Sequence, residues 1–170
     1  MQNITYNETI NENLKESILK ALGEVMDPEI PNLSIVDLGI VTIIEATENG
    51  TYIELTPTFA GCPALRVIES NVMDKLMENG FTNPEVKTTF HTAWNSNRIS
   101  EKGREVLKKH GLAPPPKEGL IELTVLSETP CPFCNSRNTT LKSPFGATLC
   151  RTMHYCNNCL QGFEGFKPVV

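Results

Sequence analysis

Four cysteines near the end of the chain have the spacing of a metal site. They form two pairs, Cys131-Pro132-Phe133-Cys134 and Cys156-Asn157-Asn158-Cys159, with twenty-one residues between the pairs. Two residues between cysteines allow one tight turn to point both sulfurs at one ion, and two such turns supply four thiolates. The pattern predicts a four-cysteine site with zinc as the expected ion. Rubredoxin-like iron and an iron–sulfur cluster are alternatives that the spacing leaves open.

Two residues between these pairs could also bind a metal. We interpret Cys150 as a small buried hydrophobic residue, which is the common role of an unpaired cysteine. We interpret His154 as a surface or packing residue. The predicted ligand set is therefore Cys131, Cys134, Cys156 and Cys159.

The sixth cysteine, Cys62, stands alone in the segment Gly61-Cys62-Pro63, where a helix is expected to begin. Backbone N–H groups at the start of a helix stabilise an anion and can lower the pKa of a thiol. Cys62 could then act as a nucleophile or a soft metal ligand. A buried structural cysteine at a strand–helix joint is the alternative. No Cys-His-Asn arrangement is recognisable in the sequence, so we expect no independent catalysis and assign no catalytic residue.

The apolar pattern predicts a small α+β domain around Cys62. Leu14, Ile18, Leu22 and Val25 recur at helical spacing and predict a helix over 12–25. We predict strands over 40–44, 52–56 and 86–90, a hairpin turn at 48–50, and helices from 62–63 to Gly80 and over 100–110. This order favours a small mixed sheet packed with helices, followed by a zinc-ribbon-like module.

Three consecutive prolines, Pro114–Pro116, mark the main break in the chain, because proline cannot continue a helix and favours an extended connector. We predict a domain over 1–112, a proline-rich linker and strand over 113–126, and a metal-binding module over 127–170. A module of this size buries little core. Metal binding would therefore supply much of its folding free energy.

The composition excludes several classes of protein. A net charge of −5 argues against a nucleic-acid binder held mainly by charge. No stretch approaches the roughly 18 apolar residues of a membrane span, and the first residues lack the basic and apolar regions of a secretory signal. We therefore expect a cytoplasmic protein. In a reducing cytoplasm, clustered cysteines more often bind metal than form disulfides.

Several segments of the first domain resemble the iron–sulfur assembly family that includes SufT-like proteins. They lie within residues 12–112 and are Asp27-Pro28-Glu29-Ile30-Pro31, Ile35–Val41, Thr56-Pro57-Thr58 and Gly61-Cys62-Pro63-Ala64. The resemblance implies that Cys62 is a transient ligand for iron or for an iron–sulfur cluster. It also implies that the pocket around Cys62 is lined by Asp27, Glu29, Asp37 and Thr58.

The C-terminal part, following such a domain, resembles the D-subunit family of the ring-1,2-phenylacetyl-CoA epoxidases. The matching segments are Cys131–Cys134, Ser143–Cys150 and Phe163–Lys167. The resemblance implies a non-catalytic accessory subunit of a monooxygenase complex in aerobic phenylacetate breakdown, which assists maturation of an iron centre. Its partners would be the di-iron oxygenase, the iron–sulfur flavin reductase, or both. The chain departs from the family pattern at His91–Arg98 and at Pro168.

Two alternative functions stay open at the level of sequence. The first is a general iron–sulfur assembly or carrier factor that serves other client proteins. The second is a zinc-ribbon module that binds proteins. Nucleic acid is not expected as a partner, because residues 127–170 carry only four basic and two acidic residues.

Overall fold

The computed structural model describes residues 4–7, 10, 12–47, 49–117 and 129–169. These residues belong to two compact units. The first comprises Met1–Trp94 with Arg98–Ser100, and the second comprises Asn95–Asn97 with Glu101–Val170. The domain boundaries that we expect from the sequence, at 112 and 126, stay predictions, and residues 118–128 of that region lie outside the described residues.

The described part of the first unit contains a four-stranded mixed sheet and two helices. Its elements are β1 (Thr5–Tyr6), α1 (Glu12–Gly23), β2 (Val41–Thr47), β3 (Gly50–Leu55), α2 (Leu65–Glu78) and β4 (Pro84–Thr88). The strands lie in the order β1-β2-β3-β4. The β2–β3 pair is antiparallel, while β1–β2 and β3–β4 are parallel. The predicted mixed α+β architecture is confirmed.

The core of this unit lies between the helices and the sheet. Helix α1 contacts α2 and β2, and α2 contacts β4. The side chains that fill this layer have almost no solvent exposure, and they are Ile18, Leu22, Ile44, Ile53, Leu55, Ile68, Val72 and Leu76. Their spacing follows the helical and strand periods, which is why the sequence pattern predicts these elements.

Helix α2 has a glycine-based end and an irregular start. The N–H of Phe81 donates to Leu76 O (3.1 Å) and the N–H of Gly80 donates to Met77 O (3.0 Å), with Gly80 at φ 72°. This is the Schellman arrangement, and it confirms Gly80 as the predicted stop. The predicted start at 62–63 is too early. The N-cap is Ala64, because the Cys62 N–H donates to Phe59 O (3.1 Å) and keeps the preceding residues in a turn.

Among its described residues, the second unit contains one α-helix and a second four-stranded sheet. Its elements are α3 (Glu101–Lys109), β5 (Leu112–Ala113), β6 (Thr139–Ser143), β7 (Arg151–Cys156) and β8 (Gly162–Phe166). The strand order is β5-β8-β7-β6, with β5 parallel to β8. Helix α3 contacts β5. No helix in the described ranges is long and apolar enough to cross a membrane.

Candidate metal centre and the Cys62 loop

The four predicted ligands converge in the second unit. The Sγ atoms of Cys131, Cys134, Cys156 and Cys159 all lie within 4.8 Å of one another. Two of these separations are 3.7 Å (Cys131 to Cys159) and 3.5 Å (Cys134 to Cys156). Four sulfurs about 2.3 Å from a tetrahedral ion would be roughly 3.8 Å apart, so the cluster has the size of such a site. Within the described ranges it is the one group of three or more potential ligands that converges in this way.

Both cysteine pairs use the same backbone turn. In the first knuckle (131–136), the Asn135 N–H donates to Cys131 O (2.9 Å). In the second knuckle (156–161), the Leu160 N–H donates to Cys156 O (3.0 Å). Asn135 and Leu160 both have positive φ, at 64° and 60°. This matched geometry points the two sulfurs of each pair in one direction, as the two-residue spacing predicts.

The sulfurs of the cluster differ in their electrostatic environment. The backbone N–H of Ser136 lowers the pKa of Cys134 to about 6, and the amide of Asn158, at 3.6 Å, acts in the same direction. Burial raises the pKa of Cys159 to about 12. An ion bound by all four sulfurs takes them as thiolates, so metal binding releases the protons of the cysteine thiols. Four thiolates suit zinc or iron.

The metal cluster is also part of the core of its unit. Cys131 and Cys156 are fully buried and pack with Ala113 of β5 and Phe163 of β8. The half-buried Cys134 and Cys159 pack against the same group. Because the ligands and the core coincide, the donor set fits a structural ion that stabilises the whole unit.

His154 and Cys150 lie outside the ligand cluster. His154 is buried, its Nε2 atom is 2.7 Å from Thr152 Oγ1, and its ring stacks on Phe163 with centroids 5.1 Å apart. It is a packing residue. Cys150 is half-buried, less than our interpretation expects, and its sulfur is 3.0 Å from Thr148 Oγ1.

Cys62 lies in the first unit, on the loop that joins β3 to α2. It is half-buried, and its neighbours Gly61 and Pro63 are exposed. Because β3 and β4 are parallel, the loops that follow them leave the same edge of the sheet. The carboxyl edge of parallel strands is where ligands commonly bind in α/β folds.

The two aspartates assigned to the surroundings of Cys62 organise loops. Asp27 Oδ1 accepts from the N–H groups of Glu29 (2.8 Å) and Ile30 (2.9 Å). Asp37 accepts from the hydroxyls of Ser34 (2.8 Å) and Ser100 (2.7 Å). Asp27 is buried. Such bonds fix turns and hold charged carboxylates inside the fold.

The assignment of a pocket around Cys62 stays a prediction. Glu29 and Thr58 are half-buried. Among the described residues, Cys62, Asp27, Glu29 and Asp37 do not converge into a group of three or more potential metal ligands.

Sequence reasoning missed how the segment 37–39 holds Trp94 and Arg98 of the same unit. The Trp94 indole N–H donates to Leu38 O (3.1 Å), and the buried Arg98 donates from Nε to Gly39 O (3.0 Å). Gly39 has φ 75°, and a Cβ there would be 2.6 Å from Arg98 Cβ. A glycine after Asp-Leu predicts a turn, but nothing local identifies its partner.

Fold and site together define a class: an iron–sulfur assembly domain joined to a zinc-ribbon module. Residues 15–79 match the family model described as an iron–sulfur cluster assembly protein, and residues 117–167 match that of the PaaD zinc beta ribbon domain. The chain is 36% identical over 148 residues to an Escherichia coli (strain K12) protein named as the D-subunit of a "Putative 1,2-phenylacetyl-CoA epoxidase". This match covers 87% of the chain and 89% of the relative. The chain belongs to this D-subunit family.

Two further comparisons concern the first unit. An Fe-S protein maturation auxiliary factor of Bacillus subtilis (strain 168), YitW, is 41% identical over 88 residues, which are 51% of this chain and 81% of that protein. A crystal structure of a domain of unknown function from Bacillus anthracis superposes with a TM-score of 0.54 at 31% identity. The superposition covers 59% of this chain and 97% of the chain in that crystal structure. The first unit therefore has the fold of that domain.

Proposed function

We propose that this chain is an accessory subunit of a phenylacetyl-CoA epoxidase and assists the maturation of an iron centre in that complex. The observation that carries the proposal is the match to the E. coli D-subunit over both parts of the chain. The match of the first unit to an Fe-S maturation factor supports the maturation role. The partners are the di-iron oxygenase, the iron–sulfur flavin reductase, or both, and the location is the cytoplasm.

Cys62 is the residue that we propose to hold the iron or cluster in transit. Its loop leaves the carboxyl edge of β3, and its thiol is half-buried, so a partner can reach it. One thiolate binds a metal more weakly than four, which suits transfer rather than storage. Glu29 and Thr58 are the polar side chains that we propose to line the pocket of Cys62. Asp27 and Asp37 would take part in the same pocket while they hold their own loops through the hydrogen bonds described above.

Zinc is the resident ion that we propose for the second unit, bound by Cys131, Cys134, Cys156 and Cys159. Zinc has no redox chemistry, and in a closed four-sulfur site it supplies folding free energy. The residues around it keep Cys131 and Cys156 away from water. In this proposal the zinc ion is structural and stays bound, whereas the iron or cluster at Cys62 is bound only in transit.

The test compares the wild type with Cys62→Ser, both purified anaerobically and analysed for zinc, iron and acid-labile sulfide. We expect about one zinc per chain in both proteins, because Cys62 lies outside the four-sulfur cluster. We expect the epoxidase complex that matures with Cys62→Ser to contain less iron. Cys150→Ser is the matched control, since Cys150 is also half-buried and outside that cluster. Full metallation of the complex with Cys62→Ser would contradict the proposal.

A general assembly factor for other clients is the second candidate, and the match to the B. subtilis maturation factor favours it. It predicts that deletion of this chain impairs unrelated iron–sulfur enzymes and spares growth on phenylacetate. The proposed function predicts the reverse. Enzyme activities and growth of one deletion strain distinguish the two.

A further inference from the structure

Leu160 has a backbone conformation that does not suit its side chain. Its φ is 60°, in the left-handed region that residues with a Cβ rarely adopt. The equivalent position of the first knuckle is Asn135, at φ 64°, and asparagine tolerates this region far better. The second knuckle therefore carries a strained leucine where an asparagine or a glycine would relieve the strain.

Packing does not offset this strain in the described chain. Leu160 is 69% exposed, the highest value among the large exposed hydrophobic residues described. An exposed leucine gains little from removing apolar surface from water. Strained residues that persist often mark functional sites. The strained conformation of Leu160 and its exposure are two separate indications that this side chain contacts a binding partner.

A second exposed apolar side chain flanks the same metal cluster. Phe133 precedes Cys134 and is 53% exposed. Leu160 follows Cys159, and Asn158 Nδ2 lies 3.6 Å from Cys134 Sγ, which joins the two knuckles. We call Phe133 and Leu160, with the knuckles that carry them, the knuckle surface.

The charge beside the knuckle surface is positive. Lys108 Nζ donates to Asn135 Oδ1 (2.8 Å), and a Cβ on Gly111 would be 3.1 Å from the Phe133 ring. The last turn of α3, with Lys108 and Lys109, is therefore next to the first knuckle. Neither knuckle contains an acid. Among the described acids of this unit, Glu105 lies one helical turn before Lys108 and Lys109, while Glu101 and Glu164 are paired with Lys117 and Arg151. Arg137, which directly follows the first knuckle, adds a further positive charge.

We infer that the knuckle surface docks on an acidic protein surface: an apolar recess ringed by carboxylates on the epoxidase component that receives iron. This inference rests on the proposed function. Leu160 and Phe133 enter the recess, and Lys108 and Lys109 face the carboxylates. An apolar centre with a charged rim is the usual anatomy of a protein interface. Lys108, Lys109 and Arg137 supply too little charge to hold a nucleic acid.

The test measures binding of the zinc-loaded full chain to the purified epoxidase complex, prepared without this chain, by biolayer interferometry. We expect Leu160→Asn to weaken binding by at least about tenfold, because it removes the central apolar contact. The same variant copies Asn135 of the first knuckle, so its melting temperature should be equal to or above that of the wild type. Lys108→Gln with Lys109→Gln should slow association and reduce its dependence on salt.

Leu149→Asn is the matched control, since Leu149 is 51% exposed in the same unit and lies outside both knuckles. We expect it to bind within about twofold of the wild type. If Leu160→Asn binds with the affinity of the wild type, or if its melting temperature falls, the inferred docking surface is wrong but the proposed function still stands. No binding by the wild type would overturn the proposed partner, and the docking with it. Two other outcomes would also overturn the inference, because they assign the surface to another occupant. The first is self-association of the wild type that depends on concentration and is lost in Leu160→Asn. The second is binding of the wild type to a dT20 oligonucleotide that is lost in the same variant.

Discussion

At the scale of single residues, two glycines of the first unit share a backbone conformation but differ in their surroundings. Gly39 has φ 75° and Gly80 has φ 72°. A Cβ on Gly80 would have nothing within 4 Å, whereas a Cβ on Gly39 would be 2.6 Å from Arg98 Cβ and closer still to its carbonyl oxygen. Comparing the two separates conformational strain from steric contact.

We predict that Gly80→Ala lowers the free energy of unfolding by about 1 kcal/mol, the usual cost of a Cβ in this region. Gly39→Ala should cost about 3 kcal/mol or more, because it also displaces Arg98 and its bonds to the loop. Urea denaturation of the zinc-loaded proteins measures both changes. Equal losses in the two variants would show that Arg98 moves aside at little cost.

The sequence predicts the convergence of the four cysteines better than it predicts the surroundings of Cys62. The spacing Cys131–Cys134 acts within one turn, so local geometry determines where both sulfurs point. The surroundings of Cys62 depend on loops far away in the chain. Asp37, for example, bonds Ser100 across sixty-three residues. Spacing and periodicity carry no information about such contacts.

At the scale of elements, the periodicity of the chain predicts most helices and strands but not which unit they join. The hairpin between β2 and β3 follows from Asn49-Gly50, which favours a tight turn. Periodicity does not predict strand β1, because two residues are too few to show a period. The helix predicted over 100–110 is present as α3, but its partners follow only from tertiary contacts.

Helix α3 should depend on the metal site. Strand β5, which follows it, pairs with β8, and Ala113 packs with Cys131 and Cys156. Lys108 of α3 bonds Asn135 of the first knuckle. We predict that removing zinc with a chelator increases hydrogen exchange of the α3 amides by at least about tenfold, because metal binding supplies folding free energy to this unit.

The amides of α1 are the internal control for this measurement, since α1 packs on α2 and β2 in the first unit. They should keep their protection when zinc is removed. Unchanged exchange in α3 after verified zinc loss would place the helix outside the metal-dependent part of the chain. Mass spectrometry of the exchanged peptides reports both helices in one sample.

At the scale of the whole molecule, charge and cysteine chemistry both divide between the two units. The first unit has fourteen acidic and six basic residues, and the second has six acidic and nine basic residues. The four clustered cysteines lie in the second unit, and Cys62 lies in the first. The proposed transit of iron at Cys62 therefore shares no cysteine with the four-sulfur cluster.

Alkylation with iodoacetamide tests this separation. With zinc bound, we predict adducts on Cys62 and Cys150 alone, since the four clustered sulfurs are ligands and a metal-bound thiolate is shielded from reaction. After chelation, all six cysteines of the chain should react. The rate at Cys62 should be the same in both states, because its loop belongs to the first unit. Intact-mass and peptide analysis count the adducts, and a change in the Cys62 rate on zinc removal would show that Cys62 is coupled to the four-cysteine cluster.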